Sequence, residues 1–223
     1  MKAKPFEKWK TEEVQNTFGI SQNDHLHHLK KWLDFEAIIT ESEQNRIEPL
    51  QERLKYYVDY WLEEDTKAFF IFPIIDIIDF YVRKKYRPFT EATFEAQVLT
   101  SDNEKMNIRG RAEFLVATGE QDPQVPFFFL NEYKPQLKAQ SDPKGQLLIA
   151  MFVAQQKNNP INIPIYGLYT IGRLWFFVVM QQREYAITRA FDATETDEII
   201  RIVTMLKFVK QEIEKNYQLI LKK

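Results

Sequence analysis

The chain has 223 residues, a formal net charge of −2, 44% apolar and 14% aromatic residues, and no Cys. Such a composition supplies a full core and no global basic field toward nucleic acid or an anionic membrane, while the lack of Cys excludes disulfides, thiolate chemistry and Cys-based zinc sites. The opening "MKAKPFEKWK" has no apolar signal region, and the longest apolar run, "AFFIFPII" at 68–75, is far shorter than the ~20 residues that span a bilayer, so a cytoplasmic protein with no membrane partner is expected.

Residues 1–40 read as short helices. Thr11 opens one that stops at Gly19, and Leu26, Leu29 and Leu33 in "HLHHLKKWLDF" share a helical face. A longer helix is predicted from about Asn45 to Glu63, with Asn45 and Glu48 as a capping box, Pro49 in the first turn, and Leu50, Leu54, Tyr57, Val58 and Trp61 along one face. Asp65 has the place of a cap for the next helix, "TKAFFIFPIIDIIDF", which Pro73 should bend.

After Pro88 the period changes to two. "FTEATFEAQVL" and "MNIRGRAEFLVAT" read as strands joined by the turn "SDNEK", and "VPFFFLNEYK" as a central strand buried on both faces. Asp142–Pro143 opens a helix with Leu147, Met151 and Ala154 on one side. Three short strands follow, with turns at Gly172 and Gln181–Gln182, before a long amphipathic helix through Ile199, Val203, Leu206 and Ile213. This order predicts an α/β or α+β fold, a mixed central β-sheet flanked by helices, as one domain over 45–223 with a helical extension, 1–44, packed on it.

The chemistry available is narrow. His25, His27 and His28 lie together with no third ligand type nearby, which reads as a polar helix face, and the six Gly are too scattered for a phosphate loop. Carboxylates and lysine remain. Glu132 and Lys134, two apart on a strand, point to the same side, and pairing of "AEFLV" with "FFLNEYK" brings Glu113 close to Glu132. Converging carboxylates repel each other unless a cation lies between them, and an all-oxygen site suits Mg²⁺, with Mn²⁺ as substitute. Lys134 would then position or help deprotonate a water attacking a phosphodiester. The plainer alternative is an exposed Glu132–Lys134 pair at a strand end with Glu113 solvated, against which stands the cost of placing such groups on so apolar a strand.

These segments resemble a family. "RGRAEFLV", then an apolar strand ending in "NEYK", then the helix "PKGQLLIAMFVAQ" is similar to the PD-(D/E)xK nuclease superfamily, with its restriction-endonuclease-like fold. The similarity extends to stand-alone bacterial relatives of the type I restriction enzyme R-subunit nuclease domain and covers roughly 60–215. It implies a Mg²⁺-dependent nuclease, acting on DNA rather than RNA, in which Glu113 and Glu132 hold the metal, Lys134 serves the water, Gln146 supports the site, and Asp65, ahead of Glu63 or Glu64, adds an acidic group. Two departures stand out: the first acid is Glu rather than Asp, reaching about one methylene further, and Ala112 replaces a common Pro. Homodimers occur among similar folds, and no feature here marks an interface.

Nucleic-acid contacts are expected from Arg83, Lys84, Lys85 and Arg87, with Arg109, Arg111, Lys134, Lys138 and Lys144 completing a basic strip around the acidic site. The competing reading of "RKKYR" is a solvated helix end. A nuclease-like module without catalysis, binding nucleic acid or a protein, is the alternative function. A two-Glu glycosidase is weaker, because it gives the lysine no role.

Overall fold

A computed structural model describes residues 4–134, 142–158 and 163–221. After a short 3₁₀ turn, Phe6–Lys8, come α1 (Thr11–Phe18), β1 (Ser21–Gln22), α2 (His27–Leu33) and α3 (Glu41–Tyr57). Next is a bent helical stretch, α4 (Glu63–Thr66), a π turn (Lys67–Ile71) and α5 (Phe72–Ile78). The antiparallel strands β2 (Arg87–Leu99), β3 (Lys105–Thr118) and β4 (Gln124–Lys134) follow. The chain continues through α6 (Pro143–Lys157), β5 (Ile165–Ile171), β6 (Leu174–Gln181), β7 (Glu184–Ile187), β8 (Phe191–Asp192) and α7 (Thr196–Leu221).

The described strands form one eight-stranded mixed sheet in the order β1-β7-β6-β5-β4-β3-β2, with β8 beside β6. Its β4–β5 and β1–β7 pairs are parallel and the rest antiparallel. Parallel β4 and β5 need a crossover, which α6 provides, and a helix shut against the sheet must be apolar nearly all round: Leu147 to Ala154 are all buried. On the other face α2, α3, α5 and α7 pack through Trp32, Leu54, Ile74 and Leu206. The α+β architecture follows the sequence pattern.

Several local expectations are corrected. Thr40 caps α3 in a capping box with Glu43, so the helix starts at Glu41, Pro49 lies in its interior, and a boundary at 44 cuts through it. Leu33 and Tyr57 are exposed, and Trp32 and Gln51 take the buried places. Asp65 is not the cap of α4; it sits at the third helical position and accepts from Leu62 N at 3.1 Å. The π turn lies immediately ahead of Pro73, whose ring would meet the carbonyl four residues back in a regular helix.

The N-terminal segment is part of the core rather than an appendage. Phe6, Trp9, Val14 and Phe18 join the core on the α6 side. Asp142 caps α6 through Gly145 N at 2.9 Å and also accepts from Thr11 N at 2.7 Å, so one carboxylate serves two helix starts. Gly145 permits that contact: a Cβ there would lie 2.5 Å from Thr11 N and 2.7 Å from Trp9 O, both backbone atoms. Ala would gain up to ~1 kcal/mol of helix propensity but force two backbones apart. Gly145→Ala should therefore lower stability by about 2 kcal/mol, read by urea denaturation; an unchanged midpoint would mean the segment is loosely held.

Candidate functional site

The β3–β4 register runs through Phe114↔Asn131, so Glu113 and Glu132 lie opposite each other one step further on. Glu113 also sits at a step in the sheet. Buried side chains on the α6 side of β3 are Ile108 and Ala112, then Leu115 and Ala117, and those of β2 are Phe89, then Ala92 and Phe94. Both strands thus change parity at the same place, between matched pairs Thr90↔Phe114 and Ala92↔Ala112, with Glu91 at φ 53°. The step takes Glu113 out of the regular alternation.

There it joins a cluster with five other charged side chains. Lys134 Nζ lies 2.8 Å from Glu132 Oε1, 3.4 Å from Glu113 Oε1 and 4.0 Å from Glu63 Oε2. Lys67 Nζ lies 2.9 Å from Glu113 Oε2, 2.8 Å from Glu63 Oε1 and 3.2 Å from Glu64 Oε1, and stands 5.5 Å from the centre of the Tyr133 ring. Glu113 therefore spends each oxygen on a different lysine. The cluster is largely dry: side-chain exposure is 9% for Glu132, 13% for Lys134, 15% for Glu113 and 7% for Lys67. The reading of Glu132–Lys134 as an exposed pair with a solvated Glu113 does not hold.

Burial sets the protonation. It pushes the Glu132 carboxyl up to about 8, with the Glu113 charge opposite adding to the rise and Lys134 opposing it. Burial likewise raises Glu113, partly offset by Lys134 and Lys67. For both lysines burial alone would favour the neutral amine. The surrounding carboxylates outweigh it, led by Glu132 for Lys134 and Glu63 for Lys67, and both end above the ordinary lysine value. Lys134 is held as an ammonium, suited to donate hydrogen bonds and stabilise negative charge, not to take a proton from water.

The other expected site residues are dispersed. Asp65 is occupied with its own helix start, and Glu63, at the first helical position four residues before Lys67, supplies the acidic group instead. Gln146 is buried, but its amide donates to Glu7 O at 3.3 Å. Arg109 and Arg111 face Glu95 and Glu91 at 4.0 and 2.8 Å. Arg87 donates to Glu120 O and Pro88 O and lies over the Phe89 ring, so it braces a turn. Arg83, Lys84 and Lys85 form an exposed tight turn, not a helix end, near Thr118 and Gln124 at the β3–β4 connection, five residues along β3 from Glu113. Lys144 lies beside Asp142 at the start of α6, and Lys138 falls outside the described residues. Among the described residues no basic strip surrounds the acids. His25 precedes α2, so of the three histidines only His27 and His28 lie on that helix.

Lys67 went unnoticed in the sequence, although its (i, i+4) spacing from Glu63 was a signal. As metal ligands, Glu113, Glu132 and Glu63 offer only oxygen. Among the described residues no three acidic or imidazole side chains converge well enough to hold an ion by themselves. The Oε1 atoms of Glu113 and Glu132 do meet at one cation, the Lys134 ammonium. That partial shell fits Mg²⁺, which accepts one or two carboxylates and completes its sphere with waters and phosphate. No helix of the described residues is long and apolar enough to cross a membrane. No protein-family model matches the chain, and a search of curated proteins finds no match.

Proposed function

We propose that the protein is a metal-dependent phosphodiester hydrolase, a nuclease acting on DNA, with Glu113, Glu132 and Lys134 as its reactive core. The observation that carries this reading is the convergence of Glu113 Oε1 and Glu132 Oε1 on Lys134 Nζ at the end of a buried strand. The resemblance of "RGRAEFLV" and "NEYK" to the PD-(D/E)xK motifs supports it. Mg²⁺ held by Glu113 and Glu132 would supply Lewis acidity toward a phosphodiester oxygen and toward water. Lys134 donates to a phosphate oxygen and stabilises the charge that develops on it. Lys67 keeps Glu113 and Glu63 in place through an oxygen of each. Tyr133, directed between these groups and the α5 core, closes the floor against water.

A second reading, a nuclease-like module without catalysis, draws on one feature. Two lysines already oppose three carboxylates, so the cluster can persist as a self-contained ion network. Lys67→Met separates the two readings. It leaves three carboxylates with one ammonium and should lower stability by about 2 kcal/mol. On the nuclease reading, millimolar Mn²⁺ restores most of that loss, because the freed oxygens take the ion, and calorimetry shows binding that Glu132→Ala abolishes. A variant left unrescued, together with no Mn²⁺ or Mg²⁺ binding to the parent protein with DNA present, would leave only the non-catalytic module.

A further inference from the structure

The turn at Arg83–Lys85 has no role in the acidic cluster, yet it is firmly built. Val82 N donates to Tyr86 O at 2.9 Å, Tyr86 N to Val82 O at 3.2 Å and Lys85 N to Val82 O at 2.9 Å, while Lys84 takes φ 64°. Tyr86 is buried beneath it, its ring edge-on to Tyr217 at 6.0 Å. Arg109 and Arg111 each have a carboxylate partner, but Arg83, Lys84 and Lys85 have none among the described residues. These three exposed cations border a groove of about 550 Å³ walled by Tyr81, Tyr217, Thr118 and Gln124, with Glu120 as its one carboxylate.

Tyr81 belongs equally to a second groove, of about 490 Å³, walled by Phe72, Phe80, Pro88 and Phe114. Its charges are the Arg46–Asp76 pair and Asp79. That groove is also lined by Ala68 and Phe114, the chain neighbours of Lys67 and Glu113. A path thus runs from the acidic cluster through an apolar, aromatic stretch to a cationic end.

We infer that this path binds a single-stranded segment of nucleic acid, its bases in the Phe72–Tyr81 groove and its phosphates on Arg83, Lys84 and Lys85. The apolar middle decides for a single strand. Unpaired bases offer faces to the partly exposed ring of Phe72 and the exposed ring of Tyr81, whereas a duplex hides its bases and would press phosphates against them. Thr118 lies five residues from Glu113 along β3, ~17 Å, or roughly five nucleotides at the stacked rise of ~3.4 Å. This inference extends the nuclease reading but concerns binding alone, so each can fail without the other.

The test is fluorescence anisotropy in EDTA, so that nothing is cut, with labelled oligothymidylates of about 4 and about 12 nucleotides and a duplex of about 12 base pairs. The longer single strand should bind at least about tenfold more tightly than the shorter one or the duplex. R83E/K84E/K85E, an exposed triple change whose folding is checked by its melting curve, should remove that advantage, and charge neutralisation in R83Q/K84Q/K85Q should lower the salt slope by about 2. Equal binding by the parent and the charge-reversed protein, preference for the duplex, or no binding to any probe would each overturn the inference. Tight length-dependent binding without cleavage under any metal would leave it standing and remove the catalytic reading.

Discussion

Lys134→Ala is expected to reduce DNA cleavage by about a thousandfold, ~4 kcal/mol of transition-state stabilisation, while divalent-ion binding persists or tightens. The two effects have opposite signs for one reason. In the resting site the ammonium occupies the point where Glu113 and Glu132 converge, so it competes with an incoming ion. Its removal leaves three carboxylates facing only Lys67 and makes the site a better cation trap. The same removal deletes the donor that meets charge growing on the phosphate. Cleavage kinetics beside a Mn²⁺ titration of the same variant reads both. A parallel loss of metal affinity would point to a structural role for the lysine, and unchanged cleavage would end the proposed mechanism.

The second large effect concerns stability. Glu132 titrates at about 8 in the fold because burial disfavours its charge, against an ordinary value of 4.5. A group raised in the folded state contributes stability that is fully present below its unfolded pKa and is lost as pH climbs through its folded one. The window here runs from about 4.5 to about 8. Glu132→Gln keeps a neutral, similarly shaped side chain, so it should match the parent near pH 4.5 and exceed it by on the order of 5 kcal/mol at pH 9. For a chain of this size that is roughly 10–20 °C in melting temperature. Lys134 retains Glu113 as a partner in the variant, so the ammonium is not left bare. Thermal melts across pH 4–9 check this, and curves that stay parallel would show Glu132 ionised throughout. Addition of Mg²⁺ at high pH should narrow the gap by stabilising only the parent.

The acids on β3 and β4 and the lysine of β4 were legible because a strand has a fixed period of two and because carboxylates are costly on so apolar a segment. Pairing by a short antiparallel connection then made the Glu113–Glu132 contact a matter of register. The helix was harder. Three consecutive acids, Glu63, Glu64 and Asp65, begin α4, and only cap geometry separates them: Asp65 turns back to Leu62 N, and Glu63 is left to reach the sheet. For Lys67 the (i, i+4) spacing from Glu63 signals a helix pair, but its reach to Glu113 depends on where α4 and the π turn cross the strands, a tertiary placement. The parity step at Glu91 and Glu113 was invisible for a related reason, since the two strands change together and each alone looks like an ordinary alternation. "RKKYR" was recognised as basic, but its distance from the acids is set by the length of β3, not by the charge run.

The two residues of β1 have a consequence out of proportion to their number. They lie along the outer edge of β7, with Ser21 N on Arg183 O and Asn23 N on Tyr185 O, both at 2.8 Å. A strand edge left bare is a template for another chain, and β7 and β6 are apolar at Tyr185, Ala186, Val178 and Met180. The strip that covers them is anchored by α1, whose first N–H rests on Asp142 at the mouth of α6. Loosening one cap therefore reaches the opposite border of the sheet, where the outcome is not a local opening but a surface ready to polymerise.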